Sequence, residues 1–469
     1  MKITKNVLLI TSVCMALASC NLDLVPEGQS TLQKTTDLEL LLNAKQIKIK
    51  PAEDLGVIVD EDYGQDFTPI ATLIKNANTM VSANLTYNDT IHRASLVSSD
   101  SRYNSIYQYI VYMNVLLEKI DGASGDDSAK PALKAEARIT RAYYHYIAAN
   151  IYARQYDDAT AAKEGGIAYV TDVGLSDKKQ LDLAEDYEDM LADCTDDLIS
   201  LLPDKAHVTR LSKSAGYAIR AKILFQMKHY QEALPYALKA LEGDGNIEDR
   251  SVIMTTHRWS MLSTSANNML YIAAVGDQSP IPNWEQLSLE TVPLFEKGDY
   301  VKDYAYSDGT VESGNEFWNA DYGAMDSGID GALEATGEDA FVNPWGITVE
   351  RMMYLAAECY IRTGEIQKGL DLINRVREKR IDPQHYQPFT ASSEKEAMAL
   401  LQRAKFIEDI GSYENFFDRK RWNSETAYKK NITRHIPDVG DFTITPESQY
   451  WVMPFSLKVM QNSDYKQNY

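Results

Sequence analysis

The sequence predicts a mainly α-helical fold in which paired helices build a scaffold and two long irregular stretches form a separate, loop-rich face. Three observations predict it. Apolar residues return at three- and four-residue steps through much of the chain, as the core-facing stripe of a helix requires. Two segments repeat one pattern of small residue, turn and apolar stripe. Gly, Asp, Ser and Pro crowd residues 243–346, and 47–95 lacks long periodicity.

The first element is a targeting segment. Lys2 and Lys5 precede Val7 to Leu17 (VLLITSVCMAL), an uncharged apolar run. As a helix it rises only about 16 Å, short of a ~30 Å hydrocarbon core, so residues 1–19 read as a cleaved signal peptide. Leu17-Ala18-Ser19-Cys20 ends it with small residues before a cysteine, whose thiol takes a diacylglyceryl group. One acyl chain binds a membrane marginally and two anchor it stably. The mature chain is therefore expected to start at a lipidated Cys20, followed by a polar tether (Asn21 to Ser30), with 20–469 as one domain.

Within that domain a short helix is expected over 37–46. Tyr103, Ile106, Tyr107, Ile110, Asn114 and Leu117 stripe a helix over 98–120. Pro131 suits the first turn of a helix over 132–154. A helix over 186–202 stops at Pro203. Residues 212–228 and 231–242 form a tight pair, with Pro235 inside the second helix. Helices resume over 347–362, 365–380 and 394–410, and the tail after Trp422 is expected to be mostly irregular. In the first pair Ala218 and Ala221 allow close helix approach, and Tyr230, Ala233, Leu234, Ala237 and Leu241 give the apolar stripe. In the second, Met352, Leu355, Ala356 and Cys359 stripe one helix, Gly364 turns the chain, and Ile366, Leu370 and Ile373 stripe the next. These are tetratricopeptide-like helical pairs, each unable to bury its face alone. The scaffold spans about 98–242 and 347–422.

Composition excludes several functions. Net charge is −21, and −23 once Lys2 and Lys5 leave with the signal, which disfavours nucleic acid and anionic lipid as ligands. Cys194 and Cys359 read as small core residues. No CxxC or Cys/His spacing suggests zinc, and the seven histidines lack metal spacing. Asp244-Gly245-Asn246-Ile247-Glu248 imitates a calcium loop, but Asp249 stands where glycine is needed. No P-loop, Rossmann glycine pattern or G-x-S-x-G occurs. No cofactor, metal or catalytic residue is expected. Tyrosine is abundant, 29 against 11 Phe, which suits wet contact surfaces as well as a hydrogen-bonded core.

Several strings, in order, resemble the SusD/RagB nutrient-binding lipoproteins of Gram-negative outer membranes. Cys20-Asn21-Leu22-Asp23-Leu24-Val25-Pro26 is similar to their lipidated start. Tyr103, Tyr107, Ile110 and Asn114 match an aromatic-x-x-x-Tyr-x-x-Ile-x-x-x-Asn helix. AEARITRAYYHY (135–146) resembles Ala-Glu-Ala-Arg-x-x-Arg-Ala-x-x-Tyr. The pairs at 212–242 and 347–380 match as well, with Glu358 and Asn374-Arg375-Val376-Arg377. Asp418, Arg419, Arg421 and Trp422 fit the end of a Glu-Arg-Arg…Asp-x-x-Arg-Trp motif whose start is replaced by Ala404-Lys405-Phe406, and MPFSLKVMQNSDYKQNY is similar to the family ending. Glu136, Arg138 and Arg141, and likewise Asp418, Arg421 and Trp422, are expected to be internal networks that lock helices together.

The resemblance implies a SusD-like fold and a non-enzymatic surface protein that hands a nutrient to a SusC/RagA-like TonB-dependent transporter. Ligand residues are then expected in the irregular regions. Residues 243–346 hold Trp259, Trp284, Trp318 and Trp345, with Tyr300, Tyr304, Tyr306 and Tyr322 and nearby Asp299, Asp303, Asn315, Glu316, Asn319 and Asp321. Sugars need flat rings against C–H faces and amides or carboxylates against hydroxyls, and FWNADY (317–322) supplies both. The ligand set is Trp284, Tyr300, Trp318, Asn319, Asp321, Tyr322 and Trp345, with Tyr63 and Tyr87 from the early loops beside Asp66, Asn84 and Asn88. The expected ligand is an oligosaccharide. A peptide is the alternative, and a lipid-anchored glycan-degrading enzyme is the alternative of another class.

Overall fold

The computed structural model describes residues 32–43, 49–50, 52–65, 70–174, 178–243, 245–255, 266–272, 285–307, 329, 331–335 and 343–469. The signal segment, Cys20 and the tether lie outside them. No described helix is long and apolar enough to cross a membrane.

Eleven elements carry the helical scaffold: α1 (Thr35–Leu42), α2 (Ser101–Lys119), α3 (Lys130–Tyr152), α4 (Leu183–Ala192), α5 (Asp196–Ser200), α6 (Lys213–Gln226), α7 (Tyr230–Gly243), α8 (Val349–Arg362), α9 (Ile366–Arg377), α10 (Glu394–Glu408) and α11 (Glu414–Asn423). Local chemistry starts them. The Asp100 carboxylate accepts from the amides of Arg102 and Tyr103 at the head of α2, Pro131 sits in the first turn of α3, and Ser212, Thr348 and Ser393 cap α6, α8 and α10. Of the expected stripes, Ala218, Ala221, Ala233 and Ala237 on the first pair and Met352, Leu355, Ala356 and Cys359 on α8 are buried, while Tyr230, Leu234 and Leu241 are half-buried. Gly364 turns the chain at φ +89°, and a Cβ on Gly369 would lie 2.6 Å from Ile361 Cγ1, so α9 approaches α8 at glycine contact. α7 packs on α8 and thereby joins the two scaffold halves, 98–242 and 347–422, across the irregular region between them.

Two expectations are corrected. The single helix over 186–202 is broken into α4 and α5, because Asp193 turns inward to accept from Arg138, Arg141 and Tyr169 and Thr195 starts a new helix by accepting from the Leu198 amide. The tail after Trp422 carries a β-hairpin, Ile432–Ile436 with Gly440–Ile444. Its turn uses positive φ at Asp438 and Gly440. Cys194 and Cys359 are both fully buried, as expected of small core residues.

Strands gather the irregular regions. In chain order they are β1 (Asp62–Gln65), β2 (Asn268–Leu270), β3 (Glu285–Leu287), β4 (Tyr306–Ser307), β5 (Leu333–Ala335), β6 (Ile347–Thr348) and the hairpin strands β7 (Ile432–Ile436) and β8 (Gly440–Ile444). β1, β3, β5 and β4 form one antiparallel sheet in that order, and β2 pairs with β6 at the entrance to α8. A small core of Val57, Tyr63, Ile70, Leu85, Ile329, Ala332 and Ile436 lies at the sheet, separate from the main helical core.

Candidate functional site

The four-stranded sheet joins the two regions expected to carry ligand contacts. β1 comes from 47–95, and β3, β4 and β5 come from 243–346. Gln65 pairs with Glu285, Gln286 with Glu334, and Tyr306 with Ala335. This register places the exit of β1, the entry to β3 and the exit of β5 at one end. Trp284 is the residue before β3. The chain leaves β4 at the opposite end, and the segment holding Trp318, Asn319, Asp321 and Tyr322 follows. These five residues, with Asp66, Trp259, Asn315 and Glu316, lie outside the described residues.

Three consecutive buried acids, Asp60, Glu61 and Asp62, lead into β1, and the first two tie it to its surroundings. The Asp60 carbonyl accepts from Ser288 Oγ at 2.7 Å and Thr291 Oγ1 at 2.9 Å. Its carboxylate accepts from Arg434 Nε of β7 at 2.8 Å, and Arg434 also donates to the carbonyls of Asn84, Leu85 and Val57. Glu61 accepts from the Gly411 amide at 2.5 Å and from Asn415 Nδ2 of α11 at 2.7 Å. Burial, with the Asp409 carboxylate adding to it, pushes the Glu61 carboxyl up to about 7. Sequence reasoning passed over this triplet. Its signal is three acids in a row between the apolar Val57-Ile58-Val59 and Tyr63, a place where charge is unexpected unless it is partnered.

The described candidate rings are buried. Trp345 is fully buried. It stacks on Tyr413 with centroids 5.5 Å apart, lies beneath the Arg102 guanidinium, and donates from Nε1 to the Lys50 carbonyl at 2.9 Å. Tyr63 donates to the His435 carbonyl and accepts from the Leu289 amide; burial pushes its hydroxyl up to about 12. Tyr87 donates to the Ile58 carbonyl beneath Arg434. Tyr300 is buried, its amide bonded to the Arg380 carbonyl. All four rings are packed in the protein interior, Trp345 and Tyr87 in the main helical core and Tyr63 in the small core at the sheet. Asn84 is also buried, and Asn88 gives its carbonyl to Tyr450. Asp299 is buried and caps the amides of Val301 and Lys302, while Asp303 stays exposed.

The motif residues are architecture. Glu136 takes both forks of Arg210 at 2.6 and 2.7 Å, while Arg138 and Arg141 share Asp193 at 2.8 and 2.7 Å. Arg421 grips Glu358 at 2.6 and 2.8 Å and Asp418 at 2.8 Å, and Trp422 Nε1 donates to Glu358 at 3.0 Å. Asp409, Glu414 and Asp418 bring carboxylate oxygens within 4.8 Å of one another, the geometry of a metal site. Three cations already neutralise them: Arg351 on Asp409, Lys222 on Glu414, and Lys405 on Asp418. Lys405, standing where the motif carries arginine, is a buried positive charge paired with Asp418.

Residues 22–225 match a family model, SusD-like_3, described as "Starch-binding associating with outer membrane". No curated protein matches the chain at the level of sequence. Solved structures resemble it over nearly its whole length. A SusD superfamily protein from Bacteroides vulgatus is 15% identical, with a TM-score of 0.68 over 93% of this chain and 99% of that one. One from Bacteroides thetaiotaomicron is also 15% identical, with a TM-score of 0.67 over 93% and 100%. A SusD-like carbohydrate binding protein from Bacteroides vulgatus is 14% identical, with a TM-score of 0.64 over 92% and 97%. With the family match over 22–225 and the shared architecture beyond it, the chain has the SusD-like fold.

Proposed function

We propose that the mature chain, residues 20–469, is a single SusD-like domain held at the outer membrane through a lipid on Cys20. It captures an oligosaccharide on its loop-rich face and passes it to a SusC-like TonB-dependent transporter, without catalysis. The observation that carries this reading is the sheet. It roots both irregular regions in one place, over a small core that includes the buried Tyr63, and its strands lead in sequence to the segments that hold the remaining candidate rings. Trp284, Trp318 and Tyr322 are the proposed stacking surfaces, and Asn319 and Asp321 the hydroxyl acceptors. The sugar-binding relative and the starch-binding family description point the same way.

Titration calorimetry of the mature protein against neutral and acidic glycans tests it. Binding that weakens in Trp284→Ala and Trp318→Ala variants is the expected result. Affinity of order mM, about −4 kcal/mol, suffices where a transporter closes over the ligand. Release of reducing ends from any bound glycan would sink the binding-only reading, and affinity for peptides alone would replace glycan with peptide. Protease shaving of intact cells tests the outward orientation, and co-purification of a barrel with the lipidated protein tests the transporter partner.

A further inference from the structure

A small cavity lies where the irregular region 243–346 meets the scaffold. Arg250, Leu294 and Asp299 line it from the irregular side, and Tyr354 of α8, Arg380 and Glu408 from the scaffold. Its volume is about 20 Å³, and one water needs roughly 10–15 Å³ measured in the same way. Most of the charge around it is closed. Arg380 grips Glu408 at 2.7 and 2.9 Å, and Arg250 Nη2 donates to Glu408 at 3.0 Å. Arg377 grips Glu296 at 2.8 and 2.6 Å, and Arg403 Nε donates to the Leu294 carbonyl at 2.8 Å.

Three buried groups on the cavity depart from this closure. Tyr354 is 1% exposed, yet its hydroxyl bonds to nothing among the described residues. Burial pushes that hydroxyl well up, with Glu408 adding to it and Arg380 and Arg377 opposing, but none of the three is hydrogen-bonded to it. Asp299 is 5% exposed. Its Oδ1 accepts from the amides of Val301 and Lys302 at 2.9 and 3.3 Å, whereas its Oδ2 has no hydrogen bond among the described residues. Burial raises this carboxyl to about 6 and Arg250 leads the groups that hold it down, yet no hydrogen bond joins the two. Arg250 is buried as well, and its Nε has no acceptor.

Buried polar groups ordinarily have a partner, and leaving three unbonded around one cavity is costly. Asp299 and Arg250 act on each other by charge without touching, which is the spacing that a bridging water closes. Water also has the right chemistry, since it accepts from a hydroxyl or a guanidinium and donates to a carboxylate. The guanidiniums of Arg250, Arg377, Arg380 and Arg403 disfavour a cation there, and the carboxylates of Glu296, Asp299 and Glu408 disfavour an anion. We propose that the cavity binds one ordered water, which bridges Asp299 Oδ2 to the Tyr354 hydroxyl with Arg250 as a further donor, and so fastens the irregular region to α8. The site stands whatever nutrient the protein captures.

A high-resolution crystal structure of the mature protein, with bromide replacing chloride in the crystals, tests it. The expected result is a density peak about 2.6–3.2 Å from both Asp299 Oδ2 and Tyr354 Oη, without a bromide anomalous signal. A bromide signal, no peak, or a peak that touches only one of the two groups overturns the inference. Tyr354→Phe removes a single oxygen and keeps the ring. A bridging water predicts a melting temperature lower by roughly 1–2 °C, the loss of one hydrogen bond from a chain of this size. A hydroxyl without a partner predicts an unchanged or higher one, and that result overturns the inference. Asp299→Ala should shrink the effect of Tyr354→Phe, because either change breaks the same bridge; effects that simply add would overturn it as well.

Discussion

The helical scaffold and the strand-bearing face treat buried charge differently. On the scaffold, charges close on one another: Arg421 with Glu358 and Asp418, Arg380 with Glu350 and Glu408, Arg141 with Asp193. Such networks hold helices in one register because either partner left alone in the core would be expensive. Where the sheet meets the scaffold, Asp60 is paired with Arg434, but two other charges are not closed in this way. Among the described residues, Glu61 is held by an amide and an asparagine with no cation on it, and Arg419 has no anion bonded to it. The closed networks coincide with the strings that resemble the family's motifs. Motif residues here keep the architecture, and the chemistry left for a ligand has to be sought among groups the fold does not satisfy.

The contrast breaks first at the scaffold. Arg421→Ala strands Glu358 and should cost about 3–5 kcal/mol, read from chemical denaturation. Trp345→Ala should also cost about 3–5 kcal/mol of stability, whereas Trp318→Ala should stay within about 0.5 kcal/mol while losing glycan affinity in calorimetry. Equal destabilisation by both would erase the distinction between support and contact surface. A finer division lies within one network. Arg138 and Arg141 share Asp193 but are 37% and 8% exposed. Arg141→Ala should cost about 3 kcal/mol and Arg138→Ala less than about 1 kcal/mol.

The smallest expected effect is in pH. The Glu61 carboxyl, ordinarily near 4.5, is raised to about 7 in the fold, so the folded state keeps its proton where the unfolded state has lost it. Its contribution to stability is full below the unfolded value and is lost as pH rises through about 7. Glu414 behaves oppositely. Burial pulls its carboxyl up, but Lys222, Lys405 and Arg351 outweigh burial and hold it at about 2, so its contribution is present above 4.5 and lost as pH falls through about 2. Melting temperature should therefore drop between about pH 5 and pH 8, by of order 2 °C, and Glu61→Gln should flatten that drop. A slope unchanged in the variant would show that Glu61 is not the titrating group.

Most helices were legible because an amphipathic stripe records its own period. Met352, Leu355, Ala356 and Cys359 could be read as one buried face, and they are. The break between α4 and α5 was not legible. Asp193 breaks the helix to meet Arg138 and Arg141, more than fifty residues earlier, and periodicity does not see such a partner. The sheet was missed for a similar reason: its strands are two to four residues long, and β1 finds β3 across more than two hundred positions. Composition marked the aromatic-rich regions but not which rings would face water. Trp345, Tyr63 and Tyr87 share the residue types of a sugar platform and are buried.

The residues alone determined the helical pairs, the small-residue contacts between them and the family resemblance, since each depends on near neighbours in the chain or on a short string. Tertiary structure decided which acids and bases meet, which rings are covered, and that β1 shares a sheet with β3, β4 and β5. It also decided that Arg419, unremarkable within Asp418-Arg419-Lys420-Arg421, is buried with no acceptor on its Nε among the described residues. Burial and pairing are properties of three-dimensional neighbours, and no spacing along the chain encodes them.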